Sequence, residues 1–232
     1  MRKYIWIACI ALLFLGLFFL AGKKMKQCWI VEKTISSKHW QERNKTIAES
    51  AFGKYKVVFF GNSLTEMWDI NYYFNDSTLL NAGITGDFSE GLVKRVENIT
   101  KLKPEKLFIE IGINDMIEKI SLDEICANYR KVIKVVQQQS PQTNIFIQSN
   151  LPVIINRPSF LTDDKDVNDR VLQQNENLKK IAEEFNLTYI DIHSVFIKYP
   201  KREDLFITDG VHLTPTAYTL WKNTLMPYLY AE

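Results

Sequence analysis

Five short apolar or β-branched runs, each followed by a stretch of helical periodicity, limit this chain to one fold class. The runs lie at Lys56–Phe60, Thr78–Ala82, Lys106–Ile111, Asn144–Gln148 and Thr188–Ile192. Between them, apolar residues recur at the three-and-four spacing of a helix face. Phe88–Ile99 carries Phe88, Leu92, Val93, Val96 and Ile99. Ser121–Gln138 carries Leu122, Ile125, Tyr129, Val132, Ile133 and Val136. Asp166–Phe185 carries Val171, Leu172, Leu178, Ile181, Ala182 and Phe185. Ser121-Leu122-Asp123-Glu124 opens the middle one as a capping box, with Glu124 expected to reach back to the Ser121 amide. Strands separated by helical crossovers imply an α/β domain whose parallel sheet is covered on both faces. Ligands in such domains bind at the carboxyl ends of the strands. The residues that follow each run are therefore the place to look for chemistry.

The chain has 232 residues, enough for one sizeable domain. Its organisation reads as residues 1–22, a membrane anchor or signal sequence; 23–54, a polar linker with a short helix near Trp40–Phe52; and 55–232, the α/β domain. Tyr4–Ala21 is uncharged and flanked by Arg2, Lys3, Lys23, Lys24 and Lys26. That run is just long enough to span a bilayer, for which about 17 residues is the lower limit. Phe18-Phe19-Leu20-Ala21-Gly22 is a poor signal-peptidase site, so an uncleaved transmembrane helix is expected. Positive charge on both flanks leaves orientation undecided by that rule. The order of charge followed by apolar core favours a domain outside the cytoplasm.

The formal net charge is +2, and the body of the chain has no basic run, so nothing marks a nucleic-acid binder. Cys9, Cys28 and Cys126 form no disulfide framework or metal spacing, and His39, His193 and His212 are the only histidines. Asp163, Asp164 and Asp166 do not match a calcium loop. No metal or cofactor is expected.

Four polar clusters follow the apolar runs. In Gly61-Asn62-Ser63-Leu64-Thr65, Ser63 stands where a buried strand gives way to a helix. It reads either as a nucleophile needing an adjacent base or as the N-cap of that helix. In Asn81-Ala82-Gly83-Ile84-Thr85-Gly86-Asp87, the Gly83 amide could donate to an oxyanion, or the segment could be a plain turn. In Gly112-Ile113-Asn114-Asp115, the Asn114 side chain is a fixed, uncharged donor or an Asx turn. In Thr208-Asp209-Gly210-Val211-His212, the carboxylate can hold one ring nitrogen of His212 and leave the other as base. His193, after the fifth run with Asp191 nearby, is the rival base.

Together these clusters resemble the SGNH hydrolases, the GDSL esterase/lipase family, from about Val57 to Leu225. The resemblance implies a three-layer α/β/α sandwich with a flavodoxin-like five-stranded parallel sheet. It implies Ser63 as nucleophile with Asp209 and His212 as its partners, and an oxyanion hole of the Ser63 and Gly83 amides with the Asn114 side chain. One departure is Asn62, where the family commonly has Asp. It is expected to alter support of the turn more than the chemistry. α/β-Hydrolases share the Ser, Asp, His order but need glycine two residues after the serine, where this chain has Thr65.

The wording around the motifs is most similar to the platelet-activating-factor-acetylhydrolase-like and carbohydrate-esterase branches. That implies a serine esterase for short, O-acetyl esters on a carbohydrate, working through an acyl-enzyme without a cofactor. The alternatives are a lysophospholipase or thioesterase at the membrane, and a non-catalytic glycan-binding module on the same fold.

Overall fold

A computed structural model describes residues 2–154 and 164–230, with the side chains of residues 2–17, Phe19 and Asp164 outside the description. The elements run α1 (Arg2–Ile35), α2 (Lys38–Ala48), β1 (Val57–Gly61), α3 (Ser63–Glu66), α4 (Ile70–Phe74), β2 (Leu79–Gly83), α5 (Ser89–Thr100), β3 (Lys106–Glu110), α6 (Ile113–Ile117), α7 (Leu122–Gln139), β4 (Asn144–Gln148), α8 (Asp164–Glu184), β5 (Thr188–Ile190), α9 (Ile192–Ile197) and α10 (Pro215–Leu229), with a 3-10 turn at Arg202–Leu205 before the last helix.

The five strands pair in parallel in the order β2-β1-β3-β4-β5. Their registers place Gly61 opposite both Gly83 and Glu110. The carboxyl ends of the three strands that carry the first three polar clusters are therefore level. The chain leaves β1 toward one side of the sheet and returns from β2 to pair β3 on the other. Ser63 and Asn114 thus flank the point where strand order reverses, the usual crevice of an open parallel sheet.

The central strands β1 and β3 bury both faces, which is why their runs are continuously apolar rather than alternating. On one face Phe59, Phe108 and Phe146 stack in sequence, with centroids 5.4 and 4.5 Å apart. Trp68 packs on Phe59 with centroids 5.3 Å apart, and Trp221 of α10 stacks on Trp68 at 4.9 Å. Packing of this kind dominates core energetics because each ring buries a large apolar area. On the other face α5 and α7 pack, with Leu92, Val96, Tyr129, Val132 and Val136 buried.

The Arg95 guanidinium of α5 lies over the Phe60 ring at 4.4 Å. Arg95 is fully buried yet satisfied: it donates to Asp87 Oδ2 at 2.8 Å, to the Ala82 carbonyl at 2.7 Å and to the Gly61 carbonyl at 2.8 Å. It thereby ties the ends of β1 and β2 to one charge. Burial alone would push the Asp87 carboxyl up and the Arg95 guanidinium down, and their mutual attraction opposes both shifts.

Two expectations change here. Residues 23–54 are not a linker. Helix α1 runs unbroken to Ile35, and α2 follows after two residues. Val31, Ile35, Trp40 and Ile47 are core residues, and the Gln27 amide donates to the Glu118 and Lys119 carbonyls at the end of α6. The segment reads as polar because it buries only a narrow stripe and keeps its charged residues on the surface.

The second concerns the capping box. Ser121 Oγ accepts from the Glu124 amide at 3.2 Å, but the Glu124 carboxylate meets Lys24 of α1. Among the described residues no helix is long and apolar enough to cross a membrane. Most side chains of Tyr4–Ala21, on which that expectation rests, lie outside the description. Cys28 and Cys126 are both free.

Candidate active site

The register of β1 delivers Ser63 to the crevice, and local capping leaves its hydroxyl unspent. Asn62, not Ser63, caps α3: its side chain accepts from the Leu64 amide at 2.9 Å. An amide oxygen does this as well as a carboxylate would. Ser63 is the first helical residue, and its Oγ lies 2.9 Å from His212 Nε2. His212 Nδ1 lies 2.6 Å from Asp209 Oδ2. The other carboxylate oxygen accepts from the Val211 and His212 amides, both at 2.9 Å.

Asp209-Gly210-Val211-His212 is thus a single turn folded around the aspartate, which fixes the ring before any substrate arrives. Partial burial would raise the Asp209 pKa, but the hydrogen bonds from His212 and Val211 hold it below the usual carboxylate value. Exposure rises along the line: Ser63 is 4 % exposed, while the side chains of His212 and Asp209 are 27 % and 44 % exposed.

His193 does not join this arrangement. It sits in α9, buried, and its backbone amide donates to Ser149 Oγ at 2.7 Å. Burial lowers its pKa.

The sheet edge also brings Asn114 to the site, on the first turn of α6. Its Nδ2 donates to the Asp87 carbonyl at 2.9 Å. An amide nitrogen carries two hydrogens, so a second can face a ligand. Asp115 beside it is fully buried and accepts from the Ser89 amide and, at 2.6 Å, from Ser89 Oγ. Burial pushes its carboxyl up to about 7 despite those bonds. This clamp joins the Asn114 turn to the start of α5.

Gly83 does not fit the oxyanion role expected of it. Its amide already donates to Asn81 Oδ1 at 3.0 Å. It is glycine because α3 passes directly over it: a Cβ there would lie 2.2 Å from the Glu66 nitrogen and 2.7 Å from the Asn62 carbonyl oxygen. The conformational demand falls three residues later. Ile84-Thr85-Gly86-Asp87 closes as a turn, with the Asp87 amide donating to the Ile84 carbonyl at 3.1 Å. Gly86 has φ +78° at its third position, the geometry of a type II turn. Thr-Gly-Asp ahead of a helix was the sequence signal for it, outweighed by the glycine nearer the strand end.

Asn150, also placed on this edge, is structural. Its side chain donates to Glu110 Oε1 at 2.9 Å and to the Ile111 carbonyl at 2.7 Å. Burial pushes the Glu110 carboxyl up to about 7.

A cleft of about 190 Å³ opens beside the turn from Asp209 to His212, lined by Ile154, Glu203, Phe206, Ile207, Thr208 and Gly210. Among the described residues no group of His, Cys, Asp and Glu side chains is arranged to hold a metal ion. Of residues 156–166, those up to 163 lie outside the described residues.

Residues 59–220 match the family model of the GDSL-like lipase/acylhydrolases. No curated protein sequence matches the chain. Among solved structures, the chain is similar to a Streptococcus pneumonia protein assigned provisionally as a platelet activating factor. That match has a TM-score of 0.72 at 20 % identity and covers 91 % of this chain and 99 % of the other. A GDSL-like lipase from Bacteroides thetaiotaomicron is similar with a TM-score of 0.68 at 21 % identity, covering 82 % and 95 %. A catalytic mutant of an acetylxylan esterase from Geobacillus stearothermophilus is similar with a TM-score of 0.61 at 19 % identity, covering 79 % and 97 %. At these identities the likeness is one of fold.

Proposed function

The chain belongs to the GDSL-like lipase/acylhydrolase family and is a carboxylic ester hydrolase, and on that premise we propose that it removes short acyl groups, acetyl above all, from a carbohydrate. The observation that carries the proposal is the line Ser63 Oγ–His212 Nε2–Asp209, with spacings of 2.9 and 2.6 Å.

His212 Nε2 takes the Ser63 proton as Oγ attacks the ester carbonyl. The oxyanion that forms is held by the Ser63 amide, the Asn114 side chain and, in place of Gly83, the Gly86 amide. Donors aimed at developing charge are the largest usual source of rate in acyl transfer, about 3 kcal/mol each. The imidazolium returns its proton to the leaving alcohol. Water, deprotonated by the same nitrogen, then frees the acyl group as a carboxylic acid. No step requires a metal or an organic cofactor.

The short acyl group is supported by the fold shared with an acetylxylan esterase. A series of p-nitrophenyl esters from acetate to laurate tests it. Turnover should be highest for acetate and fall with chain length. Preference for long chains, or for lysophospholipid or thioester substrates over acetylated oligosaccharides, would sink the acetyl reading.

We also propose that the N-terminal run anchors the enzyme in a membrane with its catalytic domain outside the cytoplasm. The support is the uncharged run Tyr4–Ala21 and the unbroken helix that carries it into the domain. The full chain should stay with membranes through an alkaline carbonate wash. Release into the soluble fraction would rule out the anchor, and a protease-protected domain in spheroplasts would reverse its orientation.

A further inference from the structure

A cluster of charged side chains lies behind the Gly86 turn, outside the groups the chemistry uses. Glu66, the last residue of α3, is three residues after the nucleophile. One of its carboxylate oxygens accepts from the Thr85 amide and lies 3.1 Å from His39 Nε2. The other lies 3.6 Å from Arg43 Nε. His39 and Arg43 sit one turn apart on the same face of α2. Arg43 also donates to the Gly83 carbonyl at 3.1 Å and the Asn81 carbonyl at 2.9 Å, at the end of β2.

The rest of the turn is gripped from other directions. Trp40 Nε1 donates to Asp87 Oδ1 at 2.9 Å, Asn114 holds the Asp87 carbonyl, and Thr34 of α1 packs beneath Gly86. Among the described residues, Glu66 is the one whose side chain joins the turn to the helix that bears Ser63. Burial would raise its pKa, but the hydrogen bonds from Thr85 and His39 keep the carboxyl below its ordinary value.

The Glu66 carboxylate bonds the residue before Gly86, whose amide is assigned to the oxyanion, so its negative charge opposes the reaction electrostatically. Arg43 offsets that charge from α2, and His39 bonds the same carboxylate. A tie needed only for folding would not require that compensation.

We propose that Glu66, held by His39 and Arg43, is a positioning residue that sets the spacing between the Ser63 amide and the Gly86 amide in the oxyanion hole. This inference rests on the esterase reading above. It makes α2, expected from the sequence only as a short helix within a linker, part of the support of the catalytic site.

The test removes the Glu66–Thr85 link from each side in the full chain. Glu66→Ala deletes the acceptor. Glu66→Gln keeps an acceptor oxygen in the same shape. Thr85→Pro deletes the donor at the second position of a type II turn, where proline is favoured. With p-nitrophenyl acetate, Glu66→Ala and Thr85→Pro should each lower kcat about tenfold or more with KM held within about twofold, since small misplacements of reacting groups carry penalties of this size. Glu66→Gln should recover most of the rate.

Affinity for methylboronic acid, which adds to the serine as a tetrahedral anion, should fall in parallel with kcat/KM. A merely structural tie would lower the melting temperature and leave both readouts alone. Wild-type kcat and boronate affinity in either folded link-deleting variant overturns the proposal. Absence of any serine-dependent turnover in the wild type would instead remove the esterase reading, and this inference with it.

Discussion

Replacing Ser63 with alanine should abolish turnover of every ester the protein hydrolyses, lowering kcat by about 10⁴-fold or more, while the fold stays intact. The size follows from the chemistry. Without Oγ no acyl-enzyme forms, and only the oxyanion donors remain to assist direct attack by water. The fold should survive because the Ser63 side chain caps nothing: Asn62 supplies the helix cap, and the Ser63 hydroxyl bonds His212. Stopped assays with p-nitrophenyl acetate and a melting curve on the same sample check both halves. An electrophilic organophosphate should label the wild type once, on Ser63, and the variant not at all. Retention of more than about one per cent of the rate in Ser63→Ala would move the nucleophile elsewhere.

The second large effect belongs to Asp209. Asp209→Asn should cost about 10⁴-fold in kcat with little loss of stability. Asp209 accepts from three donors: the Val211 amide, the His212 amide and the His212 ring. An asparagine oxygen can keep the two backbone bonds. Its NH₂ group then faces His212 Nδ1 and donates to it, which leaves the ring proton on Nε2. The nitrogen facing Ser63 becomes a donor and can no longer take a proton. His193→Ala is the matched control and should keep its rate, because that ring lies outside the Ser63–His212–Asp209 line. A full rate in Asp209→Asn with a lost rate in His193→Ala would reassign the base.

How much of this was legible beforehand depends on how local each feature is. The strand at Asn144–Gln148 is where its β-branched, apolar run lies. The others differ by a residue or two, because a strand's ends depend on its neighbours' register. The helix at Leu122–Gln139 follows its apolar spacing and its Ser121 cap. The Asp209-to-His212 turn was readable because carboxylate, glycine and imidazole lie within four residues and satisfy one another.

Other features have no local signature. Glu124 has a standard capping-box position, yet an ion pair with a helix one hundred residues away claims its side chain. Asn150 follows a strand end like the site residues, yet its side chain bonds the buried Glu110 carboxyl instead.

The choice between two glycines three residues apart shows the boundary most clearly. Period, turn chemistry and the order of polar clusters are properties of neighbouring residues. They were enough to place a serine, an asparagine and an Asp–His turn on one edge of a parallel sheet. Whether Gly83 or Gly86 has a free amide depends on what passes overhead and on a side chain that bonds back. In the folded chain α3 covers Gly83 and Asn81 occupies its N–H, while the positive φ lies at Gly86. The same holds for the N-terminal helices. Their sparse apolar stripe is too narrow to announce a core, and it becomes one only because Val31, Ile35, Trp40 and Ile47 meet the sheet domain around the turn they support.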